Sequence, residues 1–145
     1  MGRRIVVRAI IALLLLLFVY TASSKLVDLE EFRGNMYNQD LPRWLATTLI
    51  WAIPASEIGA AACLLFARRL RTGLIVSLLL LIIYTAYVGA ILLHFFRRTP
   101  CPCGGIFHHV SWPQHFWFNT LCIALATLAL ILDSKDREGH LFFHQ

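Results

Sequence analysis

Charged residues are scarce in this chain. Asp, Glu, Lys and Arg make up 14% of its 145 residues, whereas hydrophobic residues make up 59%. A soluble domain carries about a quarter charged residues, so this composition excludes the usual soluble class. The formal net charge of +5 comes from basic residues beside apolar runs. That placement indicates membrane topology and argues against a nucleic-acid partner.

The sequence also lacks period-two alternation, internal repeats, low-complexity segments and flexible linkers. Without alternation, continuously apolar runs favour helices over barrel strands. A bilayer core of about 30 Å takes about 20 helical residues. Four runs meet that length: 5–22, 44–67, 73–96 and 115–132. We therefore predict an all-α membrane protein, a four-transmembrane-helix bundle that forms one integral membrane domain over residues 1–145.

The first run also has features of a signal peptide. Arg3, Arg4 and Arg8 precede a Leu-rich stretch, and small residues follow it. Against cleavage, the run is long for a signal core and the small residues make an imperfect cleavage site. We therefore predict a first transmembrane helix here.

Lysine and arginine counts predict the orientation, because cytoplasmic loops carry the excess of these residues. With the N-terminus inside, one side carries Arg3, Arg4, Arg8, Arg68, Arg69, Arg71, Lys135 and Arg137, and the other carries Lys25, Arg33, Arg43, Arg97 and Arg98. The excess predicts both termini in the cytoplasm. The protein is then a multi-pass inner-membrane protein whose 97–114 loop faces the periplasm, a compartment that permits disulfides.

The first outer loop has apolar residues at helix-compatible spacing over residues 24–32. We predict a short helix lying on the outer surface. Lys25 and Asp28 are three residues apart in it and can pair, a weak interaction when exposed.

Cys101 and Cys103 are the most informative residues in the chain. They are flanked by prolines and followed by two glycines, which favours an exposed turn over a helix. A bond between them is within covalent reach but strained, and strained exposed disulfides are the oxidising kind. Positive charge nearby, including His108 and His109, favours the thiolate. The pattern indicates thiol–disulfide exchange.

Two other interpretations of this loop stay open. Cys101, Cys103, His108 and His109, with His115, offer thiolate and imidazole metal ligands, although their spacing matches no standard zinc pattern. Alternatively, the cysteines clamp the loop or bond permanently to a partner.

Cys63 and Cys122 differ from the loop pair. At 1.5 Å per residue their depths in the bundle are too different for a mutual disulfide. Cys63 is expected to be a small core residue. Cys122 is expected to pack in the bundle, the alternative being a resolving thiol.

Polar groups within the apolar runs form a second candidate site. Glu57 lies past the middle of its run, and an intramembrane carboxylate is costly unless it is neutral or paired with a neighbouring helix. It is a candidate proton relay or cofactor contact, the alternative being a hydrogen bond that fixes packing. Pro54 is expected to kink this helix, and the Gly59–Ala62 segment to admit a neighbouring helix closely.

Ser77, Tyr84, Tyr87 and His94 fall on one face of the third run by helical periodicity. Tyr84, Tyr87 and His94 are therefore candidates for a quinone or proton path toward the cysteine loop. The alternative is a stripe of interhelical hydrogen bonds.

These elements together resemble the DoxX-like superfamily and, within it, the group of methylamine utilisation protein MauE. The resemblance is carried by Lys25, Asp28 and Phe32 after the first helix, Pro54 and Glu57 in the second, and Cys101, Cys103, Gly104, Gly105, Trp112, Phe118 and Asn119. It implies a four-helix bundle with a role in disulfide or electron-transfer chemistry, beside a thioredoxin-like partner, in maturing exported proteins. It also implies that Cys101 and Cys103 are the redox pair and Glu57 the buried polar position.

The architecture is also similar to vitamin K epoxide reductase and DsbB-type proteins, which pass electrons from outer thiols to quinone. Those families use Cys-x-x-Cys and a second outer cysteine pair, whereas this chain has Cys-x-Cys and no second outer pair. Quinone is therefore expected only through a partner.

The resulting hypothesis is a membrane accessory protein that exchanges electrons with an exported or thioredoxin-like partner through Cys101 and Cys103, as a thiol–disulfide oxidoreductase. The alternative is a non-catalytic subunit or assembly factor of a larger membrane complex, whose Cys/His loop is structural or binds metal.

Overall fold

A computed structural model of the chain describes residues 2–39, 41–66, 70–95 and 111–142, with side chains described up to residue 134. Its elements are α1 (Gly2–Val27), α2 (Leu29–Tyr37), α3 (Arg43–Leu65), α4 (Leu70–Leu92) and α5 (Trp112–Phe142). These described residues are helical apart from short turns and contain no strand. The all-α prediction is confirmed.

Four helices are long and apolar enough to cross a membrane: α1, α3, α4 and residues 112–134 of α5. The predicted four-helix membrane architecture is confirmed, and the protein is a multi-pass membrane protein. The predicted bounds differ in places. α1 continues five residues beyond the predicted end at Ala22, and α4 ends at Leu92 instead of residue 96. The early end of α4 has a local cause, because His94 takes a left-handed conformation with φ of 56°.

The long helices pack as a ring in which α1 and α4 each contact both α3 and α5. Its centre holds a cluster of buried side chains that includes Leu14, Phe18, Leu74 and Ala126. Many apolar side chains on the outside are exposed, as in Leu16, which is 70% exposed. A bundle that is apolar on both its inner and outer surfaces fits a lipid environment.

α2 packs along the first half of α3 in the opposite direction. Its Phe32 and Met36 form a buried cluster with Ile50 of α3, and Tyr37 lies 3.2 Å from the Thr47 hydroxyl, nearer the start of α3. The short helix therefore exists where the sequence predicts it and supplies packing against the bundle. Its position on a membrane surface stays a prediction. We call the end of the bundle where α2 lies the α2 end.

The close approach between α3 and α4 is made at Gly73. A Cβ at this position would lie 2.7 Å from the backbone nitrogen of Leu64 and 2.8 Å from the carbonyl carbon of Cys63. The sequence predicted a close approach along the Gly59–Ala62 segment. Within it, Ala60 and Ala61 are buried against the neighbouring helices, whereas Gly59 is exposed and a Cβ there would meet nothing within 4 Å.

Ser77 is fully buried in α4, and its hydroxyl has no hydrogen-bond partner in the described part of the chain. A buried hydroxyl without a partner is destabilising, so Ser77→Ala is expected to stabilise the protein by about 1 kcal/mol. The free energy of unfolding in mixed micelles measures this effect. Thr85→Val is the control, because the Thr85 hydroxyl donates to the Leu81 carbonyl at 2.7 Å and its removal brings no gain. A loss of stability in Ser77→Ala would contradict the assignment.

Candidate functional site

A cavity of about 160 Å³ lies at the α2 end, between the four long helices and α2. Its walls are mainly apolar, including Phe18, Phe32, Met36, Leu81, Val88 and Phe118. The lining comes from the second half of α1 and α4 and from the first half of α5, since successive long helices run in opposite directions. This places the cavity near the helix ends that flank residues 96–110.

A buried ion pair between α1 and α3 forms part of the cavity wall. The Lys25 ammonium lies 2.9 Å from Glu57 Oε1 and 3.2 Å from Oε2. The side chains are only 11% and 2% exposed, respectively. Lys25 also donates to the Thr21 carbonyl at 3.2 Å. Each charge is therefore neutralised inside the bundle, and α1 is tied to α3.

The Lys25–Glu57 pair can be compared with the sequence-based predictions for both residues. Glu57 was expected to be neutral or paired with a neighbouring helix, and the structure pairs it with Lys25 of α1. The spacing allowed Lys25 to pair with Asp28, but its ammonium contacts Glu57. The reason is that α1 continues through Lys25 to Val27, so the lysine lies on a transmembrane helix beside α3 and not in a surface loop.

Two tyrosines of α4 line the cavity and differ in their hydroxyl contacts. The Tyr87 hydroxyl donates to Gln39 Oε1 at 2.8 Å, joining α4 to the segment after α2. The Tyr84 hydroxyl is buried, lies near Glu57 and Ser56, and makes no hydrogen bond of standard geometry to any described residue. Tyr84 therefore presents an uncommitted donor beside the ion pair.

His94 does not extend the stripe predicted from Ser77, Tyr84 and Tyr87. It lies two residues beyond the end of α4, is exposed, and does not line the cavity. Helical spacing placed His94 on the same face, but its own left-handed backbone conformation ends the helical periodicity before this residue. His115 of α5 does line the cavity and is half-buried.

Four predicted site residues, Cys101, Cys103, His108 and His109, lie outside the described residues. Within the described ranges, no three His, Cys, Asp or Glu side chains are grouped so that they could hold a metal ion. Cys63 and Cys122 are both free thiols. Cys122 is 1% exposed and belongs to the central apolar cluster, away from the cavity lining. The packing interpretation of Cys122 is therefore favoured over that of a resolving thiol.

Lys25 is the cavity residue whose role sequence reasoning missed. A usable signal was present, because Thr21 and Lys25 are four residues apart and continue the helical face of the first apolar run. Because the predicted run ended at Ala22, Lys25 was assigned to the outer loop and not to the helix that contacts Glu57. Gln39 and Asn119 are buried polar residues that also line the cavity. Asn119 was marked only by the family resemblance, and no sequence pattern marked Gln39.

Comparison with curated proteins found no significant match, and comparison with solved structures found none either. A protein-family model does match, over residues 3–132, which include all four candidate membrane spans up to residue 132. This match agrees with the resemblance seen in Lys25, Glu57 and the Cys-x-Cys element. The chain belongs to the family described as methylamine utilisation protein MauE.

Proposed function

We propose that the protein is a membrane accessory protein that exchanges thiols and disulfides with an exported or thioredoxin-like partner through Cys101 and Cys103. The family is generally linked to the maturation of methylamine dehydrogenase. The observation that carries the proposal is the cavity at the α2 end, whose mainly apolar wall contains the Lys25–Glu57 ion pair and which lies between the helices that flank the Cys-x-Cys segment. A plain structural bundle has no need for a buried Lys25–Glu57 pair, which is costly to bury.

Chain length supports this proximity. Cys101 follows Phe95 by six residues, so their α-carbons are at most about 22 Å apart. Residue 95 follows the end of α4 at the α2 end, and the 23 residues of α4 extend about 35 Å to the opposite end. The two described residues that flank the segment with the cysteines, Phe95 and Ser111, therefore both lie at the end of the bundle that contains the cavity.

The proposed exchange transfers two electrons in two displacements. The thiolate of one cysteine attacks a sulfur of the partner's disulfide, which forms a mixed disulfide and releases one partner thiolate. The second cysteine then attacks the mixed disulfide, which leaves a Cys101–Cys103 bond and releases the second partner thiolate. The partner is reduced, this protein is oxidised, and the reverse sequence oxidises the partner.

Positive charge and proton acceptors assist the exchange in this proposal. His108 and His109 favour the thiolate form of the attacking cysteine. Glu57 is the one carboxylate among the described residues that line the cavity, and we assign it the role of a proton relay. The proposal has the termini in the cytoplasm and the cysteine segment in the periplasm, which the excess of lysine and arginine on one side of the membrane supports.

Trapping of mixed disulfides tests the proposal directly. Cells that express Cys101→Ser or Cys103→Ser are quenched with acid and alkylated, and disulfide-linked adducts are identified by mass spectrometry. One single variant is expected to accumulate a mixed disulfide, because the remaining thiol attacks and cannot be resolved. The double variant is expected to lose all adducts.

The control for trapping is Cys63→Ser/Cys122→Ser, which removes the two free thiols of the bundle and is expected to leave adduct formation unchanged. Adducts that persist in the Cys101→Ser/Cys103→Ser variant would refute the assignment. Zinc or copper that is bound by the wild-type protein and lost from that variant would support the metal-binding alternative at Cys101, Cys103, His108 and His109.

A further inference from the structure

We propose that the cavity at the α2 end binds a neutral, planar ring compound that carries a carbonyl oxygen, and that the Tyr84 hydroxyl donates to that oxygen. This binding site goes beyond the proposed thiol exchange and does not depend on it. It rests on the volume of the cavity, the apolar walls, and the hydrogen bonds already made by the polar groups.

The volume of the cavity sets the size of the ligand. At about 160 Å³ it is close to the engineered apolar cavity of about 150 Å³ that binds benzene. The walls include the aromatic side chains of Phe18, Phe32 and Phe118, and aromatic side chains pack well against a flat ring. A single six-membered ring with a small substituent fits these dimensions.

The ion pair sets the charge of the ligand. An ammonium has three N–H donors, and three acceptors lie within 3.2 Å of Lys25: both oxygens of Glu57 and the carbonyl of Thr21. The lysine charge is compensated by Glu57, and its donors are already used. The site therefore favours a neutral molecule over an anion or a cation, because a charged ligand would lose its hydration without gaining an opposite charge.

Tyr84 sets the functional group. Its hydroxyl lines the cavity, is buried, and makes no hydrogen bond of standard geometry to a described residue, whereas the Tyr87 hydroxyl is bonded to Gln39. Leaving a buried donor unpaired is costly, so a carbonyl acceptor at this point is favoured. Two sources share this chemistry: the head group of a lipid-soluble quinone, and a water-soluble aromatic carbonyl compound.

A matched pair of probes isolates the carbonyl. Acetophenone and α-methylstyrene have the same shape, but the oxygen of the first is replaced by a methylene group in the second, and neither depends on thiol chemistry. Thermal unfolding of the purified full-length protein in detergent is measured with each probe. We expect acetophenone to raise the midpoint temperature of unfolding more than α-methylstyrene does. Uptake of the probes into detergent micelles does not explain such a difference, because α-methylstyrene, a hydrocarbon, enters micelles at least as well as acetophenone.

Two tyrosine variants test the donor. Tyr84→Phe removes the uncommitted hydroxyl and is expected to weaken acetophenone binding roughly two- to tenfold, the value of one hydrogen bond, with α-methylstyrene unaffected. Tyr87→Phe also removes a cavity hydroxyl, but one that is bonded to Gln39, and is expected to retain the preference for acetophenone. Equal effects of the two probes on the wild-type protein, or an undiminished preference in Tyr84→Phe, would overturn the proposal.

A competition experiment distinguishes the two classes of ligand. Displacement of acetophenone by a decyl-substituted benzoquinone identifies a lipid-soluble quinone head group, and failure to displace it identifies a small water-soluble carbonyl compound. The same measurements on Cys101→Ser/Cys103→Ser are expected to be unchanged. Failure of the binding site is thereby distinguishable from failure of the thiol exchange.

Discussion

Replacing Glu57 with alanine is expected to lower the free energy of unfolding by about 3–5 kcal/mol, because the substitution leaves the Lys25 ammonium buried without its counter-charge. The two side chains are 11% and 2% exposed in the packed bundle, so little water reaches the lysine there. The loss is measured by denaturant titration in mixed micelles, followed by tryptophan fluorescence.

A double variant separates the loss of a partner from the loss of the pair. Lys25→Met/Glu57→Leu removes both charges and keeps side-chain volume, and we expect it to recover most of the stability, as buried ion pairs replaced by apolar residues generally do. The surface control is Glu30→Ala, whose carboxylate lies 3.5 Å from Arg33 and is 93% exposed; its effect is expected to be near zero. If Glu57→Ala changed the free energy of unfolding as little as Glu30→Ala does, the Lys25–Glu57 ion pair would not contribute to stability.

The second large effect is expected at Gly73. Gly73→Ala places a methyl group within 2.8 Å of two backbone atoms of α3, so the helices must separate and lose packing. Overpacking of this kind costs about 1–3 kcal/mol, and here the clashing atoms are backbone and cannot rotate away. Denaturant titration is expected to show a lower free energy of unfolding. Leu74, which is fully buried next to Gly73, is expected to become more accessible as the helices separate.

Gly59→Ala is the matched control for Gly73→Ala. Both glycines lie in long helices, but a Cβ at Gly59 meets nothing within 4 Å. Alanine is expected to stabilise that position by about 0.5–1 kcal/mol through helix propensity alone. Opposite signs at the two glycines support the close approach of α3 and α4, whereas destabilisation of similar size at both would refute it.

The fold was predictable because lipid imposes it. A segment within the bilayer must satisfy its backbone hydrogen bonds internally, so the four apolar runs already predict the four long helices. The ends of those helices were less predictable, since they depend on single residues. His94 stops α4 through its left-handed backbone, and nothing in the apolar sequence before residue 96 marks that stop.

The candidate site was predictable only in part, for a physical reason that differs from residue to residue. Glu57, Tyr84 and Tyr87 could be found because a polar group within an apolar run is conspicuous and helical spacing aligns the tyrosines. The spacing of Thr21 and Lys25 could place the lysine on the first helix, but it could not identify Glu57 as the partner. The two residues are 32 positions apart, and their contact depends on how α1 packs against α3. The role of α2 as a wall of the cavity likewise depends on how α2 packs against α3, which cannot be predicted from its nine residues alone.

The position of Lys25 near the end of α1 has a consequence for biosynthesis. α1 emerges from the ribosome before α3, so the lysine reaches the membrane before Glu57 does. Until then its long side chain can extend toward the interface from a site two residues before the helix end. Arrival of α3 supplies the carboxylate and draws the ammonium inward. The order of synthesis thus makes docking of α1 onto α3 the step that commits the first helix to its final depth.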